Sequence, residues 1–180
     1  FMKLGGTLLQ GCAARGIETA AGRVAAVVTE RGSIRTPTAI LAAGAWASSF
    51  CRQLGIRFPQ ATVRQTALAI APGEGDVPDV LHTNDVTLTR RSNGGYTLAI
   101  SGRGRVDPTP QLLRFSTQFL PMFAKRWRKI APGGLEGLHS GHEALGRWSL
   151  DAPTPMERMR ILDPKVDPGS VRLTHARAVS

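Results

Sequence analysis

Residues 38–43, Thr-Ala-Ile-Leu-Ala-Ala, form an apolar run without alternation, and Gly44 stands at its carboxyl end. A strand with one wet face alternates apolar and polar side chains, so a run this uniform predicts a strand covered on both faces. Ala45 to Leu54 reads as a helix stopped by Gly55, since glycine is the usual residue just past a helix end. Strand, glycine turn and helix, in that order, set a ligand at the end of a parallel strand, because glycine carries no Cβ to keep it away. Spacing alone leaves Gly44 as either such an opening or a packing glycine.

The flanking residues predict different local structure. Residues 1–4 read as the end of a helix closed by Gly5-Gly6. Residues 12–36 predict a small antiparallel meander. Its middle strand is Arg23 to Glu30, rich in β-branched residues, and the turns fall at Ala21-Gly22 and Arg31-Gly32. Further on, Thr62 to Ala71 predicts a long strand. Val86–Arg91 and Tyr96–Ser101 flank Ser92-Asn93-Gly94-Gly95, a hairpin signal. Thr109-Pro110 and Thr154-Pro155-Met156-Glu157 read as helix starts, the second with a capping box. Pro121 should break or kink the helix it interrupts, with Leu120 to Ile130 as the second piece. The helix from Thr154 should reach about Leu162, and the last dozen residues carry too few apolar groups to read as core.

Composition narrows the function classes. The chain has 180 residues, 42% of them apolar, enough to bury a core. No apolar run approaches the roughly 20 residues of a membrane-spanning helix. Two cysteines, Cys12 and Cys51, cannot build a disulfide framework, and reduced thiols in a cytoplasmic protein are the expectation. The net charge is +10. It is spread along the chain: seven basic against two acidic residues in 1–60, six against five in 61–120 and ten against six in 121–180. One dense cluster, Lys125-Arg126-Trp127-Arg128-Lys129, reads as a solvated helix face with Trp127 turned to the core, the alternative being a phosphate-binding patch.

The pattern Gly5-Gly6-Thr7, Gly16-Ile17-Glu18-Thr19, Gly22-Arg23-Val24 and Ala42-Ala43-Gly44-Ala45-Trp46 resembles the middle of FAD-dependent oxidoreductases of the D-amino-acid oxidase type. That family includes glycine oxidases and sarcosine oxidases. The resemblance is close over 5–72 and looser over 73–165, where Arg90-Arg91, Gly94-Gly95-Tyr96-Thr97-Leu98 and Arg160-Ile161-Leu162-Asp163-Pro164 fit its style. It implies an α+β segment of a two-domain flavoprotein, with 1–58 part of the FAD-binding domain and 59–180 part of the substrate domain. Ala13 and Ala14 match the segment that touches the adenine through backbone groups. Ala42, Ala43 and Gly44 match the strand end near the sugar and phosphates, and Trp46 the aromatic that follows. The implied reaction is oxidation of an amine or amino acid: a D-amino acid, glycine or an N-methyl amino acid. Hydride passes to the flavin and water hydrolyses the resulting imine.

The departures are as informative. The 180 residues hold no Gly-x-Gly-x-x-Gly phosphate loop, and Gly102-Arg103-Gly104 lacks both the third glycine and the strand–helix context. The chain therefore reads as an internal or truncated portion, expected to bind FAD weakly or not at all by itself. The competing function is a non-catalytic basic module for an acidic partner or nucleic acid. Arg90, Arg91 and Tyr96 sit on the predicted hairpin as surface groups or as holders of a substrate carboxylate, for which arginine offers a bidentate fork. His139-Ser140-Gly141-His142-Glu143 has metal-like residues without a distant partner, so no metal is expected. No catalytic acid or base can be named from the sequence.

Overall fold

The computed structural model describes every residue except 76, 140–144 and 180. In chain order the strands are β1 (Ala14–Ala20), β2 (Arg23–Thr29), β3 (Gly32–Arg35), β4 (Ala67–Ile70), β5 (Val80–His82), β6 (Val86–Arg90), β7 (Tyr96–Ile100), β8 (Gly104–Val106) and β9 (Ile130–Pro132). The helices are α1 (Ala47–Gln53), α2 (Pro110–Arg114), α3 (Ser116–Arg126), α4 (Pro155–Arg158) and α5 (Pro168–Ala178). The chain divides into two compact units. The first comprises Phe1–Ala61, Thr109–Ser116 and Leu138–Leu162, and the second Thr62–Pro108, Thr117–Gly137 and Asp163–Ser180. The chain passes from the first unit to the second at 61/62 and returns twice to the first.

The first unit is built on the antiparallel sheet β1-β2-β3, the meander expected over 12–36. Ala21 and Gly22 both take positive φ, 49° and 74°, the conformation that turns a two-residue hairpin in the sense of the strand twist. Ala26, Val28, Phe50, Cys51 and Phe115 are buried. The helix expected over 45–54 forms as a 3-10 turn, Gly44–Trp46, that runs into α1. Gly55 ends it at φ 71°. Thr109 caps α2 by accepting a hydrogen bond from the Leu112 amide at 3.1 Å. At α4, the Thr154 hydroxyl accepts from the Glu157 amide while the Glu157 carboxylate accepts from the Thr154 amide at 3.0 Å. That is the predicted capping box, and its Thr154 is wholly buried.

The second unit carries a four-stranded antiparallel sheet in the order β4-β7-β6-β5 and the parallel pair β8-β9. The hairpin β6–β7 turns where the sequence places it, with Gly94 at φ 82°. Tyr96, Leu98 and Ile100 alternate on one buried face of β7, which like β6 has neighbours on both edges. Asp167 caps α5 by accepting from the Gly169 amide at 3.2 Å, and it also meets Arg105 at 3.2 Å. Arg64 and Arg105 exchange two backbone hydrogen bonds at 2.8 Å, and Arg64 pairs with Asp107 at 3.0 Å.

Several expectations are corrected. Residues 38–43 form no strand, and Ile40 is 92% exposed. A strand exists only where a neighbour pairs its backbone, and among the described residues nothing pairs with this segment. The strand expected over Thr62–Ala71 is confined to Ala67–Ile70, with one isolated bridge at Arg64. The helical break falls at Phe115 rather than at Pro121, which lies inside α3. A single proline forfeits one amide donor, which a helix can survive. The helix from Thr154 ends at Arg158, well short of Leu162. The polar C-terminal residues do form a helix, α5, with Thr174 fully buried. Trp127 is 66% exposed, its ring covered by Arg128 with the guanidinium carbon 5.3 Å from the ring centroid, and does not turn to the core.

Candidate functional site

In the first unit, three stretches of chain enclose a cavity of about 620 Å³. One wall is Gly11–Ala14, leading into β1. The second is Leu41–Gly44 with Trp46 and Phe50, where the irregular segment enters the helix. The third is α4 and its exit, with Met156, Met159 and Arg160. All six residues aligned with a cofactor, Ala13, Ala14, Ala42, Ala43, Gly44 and Trp46, border this one space. Such a volume lies within the roughly 300–1,000 Å³ of small-molecule sites. The lining is chiefly apolar, and Arg160 is its one formally charged side chain.

The geometry at Gly44 has two parts. Its φ is 51°, a left-handed conformation that β-carbon residues other than Asn and Asp rarely adopt. A Cβ built there would meet nothing within 4 Å, so the backbone lies open. The Gly44 carbonyl accepts from Gln60 Nε2 at 2.8 Å, and Gln60 Oε1 of the same side chain accepts from the Ser48 amide at 3.1 Å. The Ser48 hydroxyl donates in turn to the Phe58 carbonyl at 2.7 Å. This clamp fixes the start of the helix at the rim of the cavity without help from a strand.

Two arginine–glutamate pairs hold the third wall to the meander. Arg15 donates to both carboxylate oxygens of Glu157, at 2.9 and 3.1 Å, and Arg160 to both of Glu30, at 2.9 and 2.7 Å. The Arg160 guanidinium, with the Ala13 amide, holds the Glu30 carboxyl down to about 2. Arg15 and the Thr154 amide likewise hold Glu157 below the usual range. Trp148 Nε1 donates to the Arg15 carbonyl at 2.7 Å. Glu30 occupies both backbone groups of Ala13: its carboxylate accepts from the Ala13 amide at 2.9 Å, and its own amide donates to the Ala13 carbonyl at 3.1 Å. Burial pushes the Cys51 thiol up, and Cys12, also a free thiol, lies on the cavity wall.

Arg90, Arg91 and Tyr96 lie elsewhere, in the second unit, and do not border this cavity. Arg90 and Tyr96 stand directly opposite across β6 and β7. The Arg90 fork is engaged by Asp79 at 2.8 Å and by the Val77 carbonyl, and its guanidinium carbon sits 5.2 Å from the Tyr96 ring centroid. Tyr96 is buried and Arg91 exposed. Among the described residues no group of three or more His, Cys, Asp or Glu converges as a metal site, and His142 and Glu143 lie outside those residues. Sequence reasoning missed Leu41, Phe50, Met156 and Met159 as lining. The only local signal was the capping box, which fixes where α4 begins but not what it faces.

Against known families, residues 1–178 match the model described as FAD dependent oxidoreductase, and the chain belongs to that family. It is 31% identical over 128 residues to a glycine oxidase of Pseudomonas aeruginosa, covering 64% of this chain and 35% of that protein. It is 32% identical over 105 residues to a mitochondrial sarcosine dehydrogenase of Mus musculus, covering 54% of this chain and 11% of that one. The chain thus spans about a third or less of these relatives. An L-amino acid deaminase from Proteus myxofaciens shares the fold at a TM-score of 0.78 and 23% identity, over 93% of this chain and 37% of that one. No described helix is long and apolar enough to cross a membrane.

Proposed function

We propose that this chain supplies one wall of an FAD site in an enzyme that oxidises an amine or amino acid, a D-amino acid, glycine or an N-methyl amino acid among the candidate substrates. The observation that carries the reading is the gathering of residues 13–14, 42–44 and 46, distant in sequence, around one open glycine. Bound FAD would supply the two-electron acceptor for a hydride leaving the carbon that bears nitrogen. The chain's own share is positional. Ala13 has both backbone groups committed to Glu30, and Ala14 follows it on the edge strand β1 at the cavity wall, where a ring can lie against it. Gly44 lets a bulky group reach the backbone, and Trp46 offers a flat apolar surface beside it. Arg160, fixed by Glu30, keeps positive charge at the rim. Arg91 and Tyr96 are retained as candidates for a substrate carboxylate, whereas the Arg90 fork is already filled. Cys12 and Cys51 as free thiols fit a reducing compartment such as the cytoplasm.

The test separates space from backbone strain. Asparagine tolerates a left-handed φ, so Gly44→Asn in the full-length protein should keep its fold and midpoint while flavin content falls at least tenfold. Gly55→Asn, also at positive φ and open but outside the cavity, should keep its flavin. Retention of flavin by Gly44→Asn would overturn the assignment.

A further inference from the structure

The second unit has a cavity of its own, about 270 Å³, with the opposite chemistry. Its lining comes from four places: the turn 82–84, the loop 101–103, Arg128 and Lys129 after α3, and Arg177 on α5. It therefore gathers Arg103, Arg128, Lys129 and Arg177 with Asn84 and Ser101, while the Thr83 hydroxyl is spent on the turn, donating to the Val86 carbonyl at 3.0 Å. Arg177 lies 3.7 Å from Asp85. Among the described residues, none of Arg103, Arg128 and Lys129 meets a carboxylate within 4 Å, whereas Arg64 and Arg90 in the same unit each do. Gly102, at φ 65°, brings the loop under the Lys129 side chain: a Cβ there would lie 3.6 Å from the Lys129 ammonium. Thr87 links the His82 ring nitrogen Nδ1, at 2.7 Å, to the Ser101 hydroxyl, at 3.1 Å, so the two rims are tied.

We propose that this cavity binds a compact phosphoryl group. Three cations that meet no described carboxylate, Arg103, Arg128 and Lys129, with Arg177 beside Asp85, line one concavity, repel one another and focus a positive field into it, and an anion relieves both effects. The volume is that of roughly nine waters, too small for a dinucleotide and suited to one or two phosphoryl groups. The donors approach from four chain segments. That arrangement surrounds a tetrahedral oxyanion, whereas a planar carboxylate is satisfied by a single fork. The concave shape favours a small ligand over a nucleic acid backbone, which wants an extended basic stripe. This inference stands apart from the flavin reading and survives if that reading fails.

The probe is inorganic pyrophosphate, titrated calorimetrically into the full chain with ionic strength held by chloride. Saturable binding at one site is expected, weakened at least tenfold in Arg128→Gln/Lys129→Gln and, separately, in the exposed loop variant Arg103→Gln. The control Arg23→Gln/Arg35→Gln, on the meander, should bind as the parent does, and circular dichroism should report an unchanged fold in each. Citrate should bind at least tenfold more weakly than pyrophosphate. Absence of pyrophosphate binding, binding equal in parent and folded variants, or citrate binding as tightly would each overturn the proposal. So would short duplex DNA binding through these residues where pyrophosphate does not.

Discussion

The two cavities are built by different means. The larger one is bounded by glycine, alanine and the apolar faces of short elements, with open backbone at Gly44. The smaller one is bounded by the tips of long charged side chains. A backbone-lined space is specified by where Cβ atoms are missing and by a φ that few residues accept, so it leaves a local mark in the sequence. A space lined by side-chain tips is specified by the convergence of residues tens of positions apart, and leaves only a fragment of itself in any one stretch, here Arg128 and Lys129 of the basic cluster. The same chain therefore marks one site as a motif and the other only through Arg128 and Lys129 of its basic cluster, without the partners they meet.

Acidification should separate them most strongly. The wall of the apolar cavity is held by Glu30–Arg160 and Glu157–Arg15, both carboxyls depressed by folding. A depressed carboxyl contributes stability that is fully present above its unfolded pKa, about 4.5, and is lost as pH falls through the folded value, which for Glu30 is about 2. Proteolysis during acid titration should cut around residues 148–160 first, within that window. Glu30→Gln should shift the onset upward and flatten the profile; an unchanged profile would show that the pair does not hold the wall. Asp167, depressed chiefly by the Ser170 hydroxyl and backed by the Gly169 amide and Arg105, should open the start of α5 in the same direction.

A smaller effect tests the capping box by itself. Thr154→Ala removes a buried hydroxyl that accepts from the Glu157 amide. It should cost about 1 kcal/mol, the usual loss for a helix N-cap, and move Met156 and Met159 at the cavity wall. Chemical denaturation measures the first, and the rate of methionine oxidation the second. If stability falls while oxidation is unchanged, α4 is a support and not part of the lining.

How far the sequence announced this can be judged residue by residue. The meander, the β6–β7 hairpin and both Thr-Pro helix starts were legible because each depends on neighbours within four or five positions. Asp167-Pro168 carries the same cap-then-proline signal as Thr109-Pro110. The signal is muted because the residues after it show no apolar stripe, and α5 buries Thr174 instead. Residues 38–43 failed in the opposite sense. Apolar character says that a segment tolerates burial, not that anything covers it, and Ile40 stands in solvent. At the site, Gly44 and its neighbours were legible from the motif, whereas the enclosing methionines depend on α4 being tied back by Arg15 and Glu30, pairs 142 and 130 residues long in sequence separation.

Trp127 gives the smallest expected effect and the cleanest contrast between pattern and packing. Within Lys125–Lys129 a lone tryptophan reads as the anchor that holds a charged helix to a core, and removing a buried aromatic costs about 3–5 kcal/mol. Here α3 ends at Arg126, one residue before it, so Trp127 begins a 3-10 turn and leaves the apolar side of the helix. Its ring is 66% exposed and stacked only under Arg128. Trp127→Ser should therefore change stability by no more than about 0.5 kcal/mol, read from denaturant midpoints. Pyrophosphate affinity should fall modestly, because the stack is one of the contacts that orient Arg128. A loss of stability on the scale of a core aromatic would place the indole inside the second unit and would move Arg128 away from the basic cavity with it.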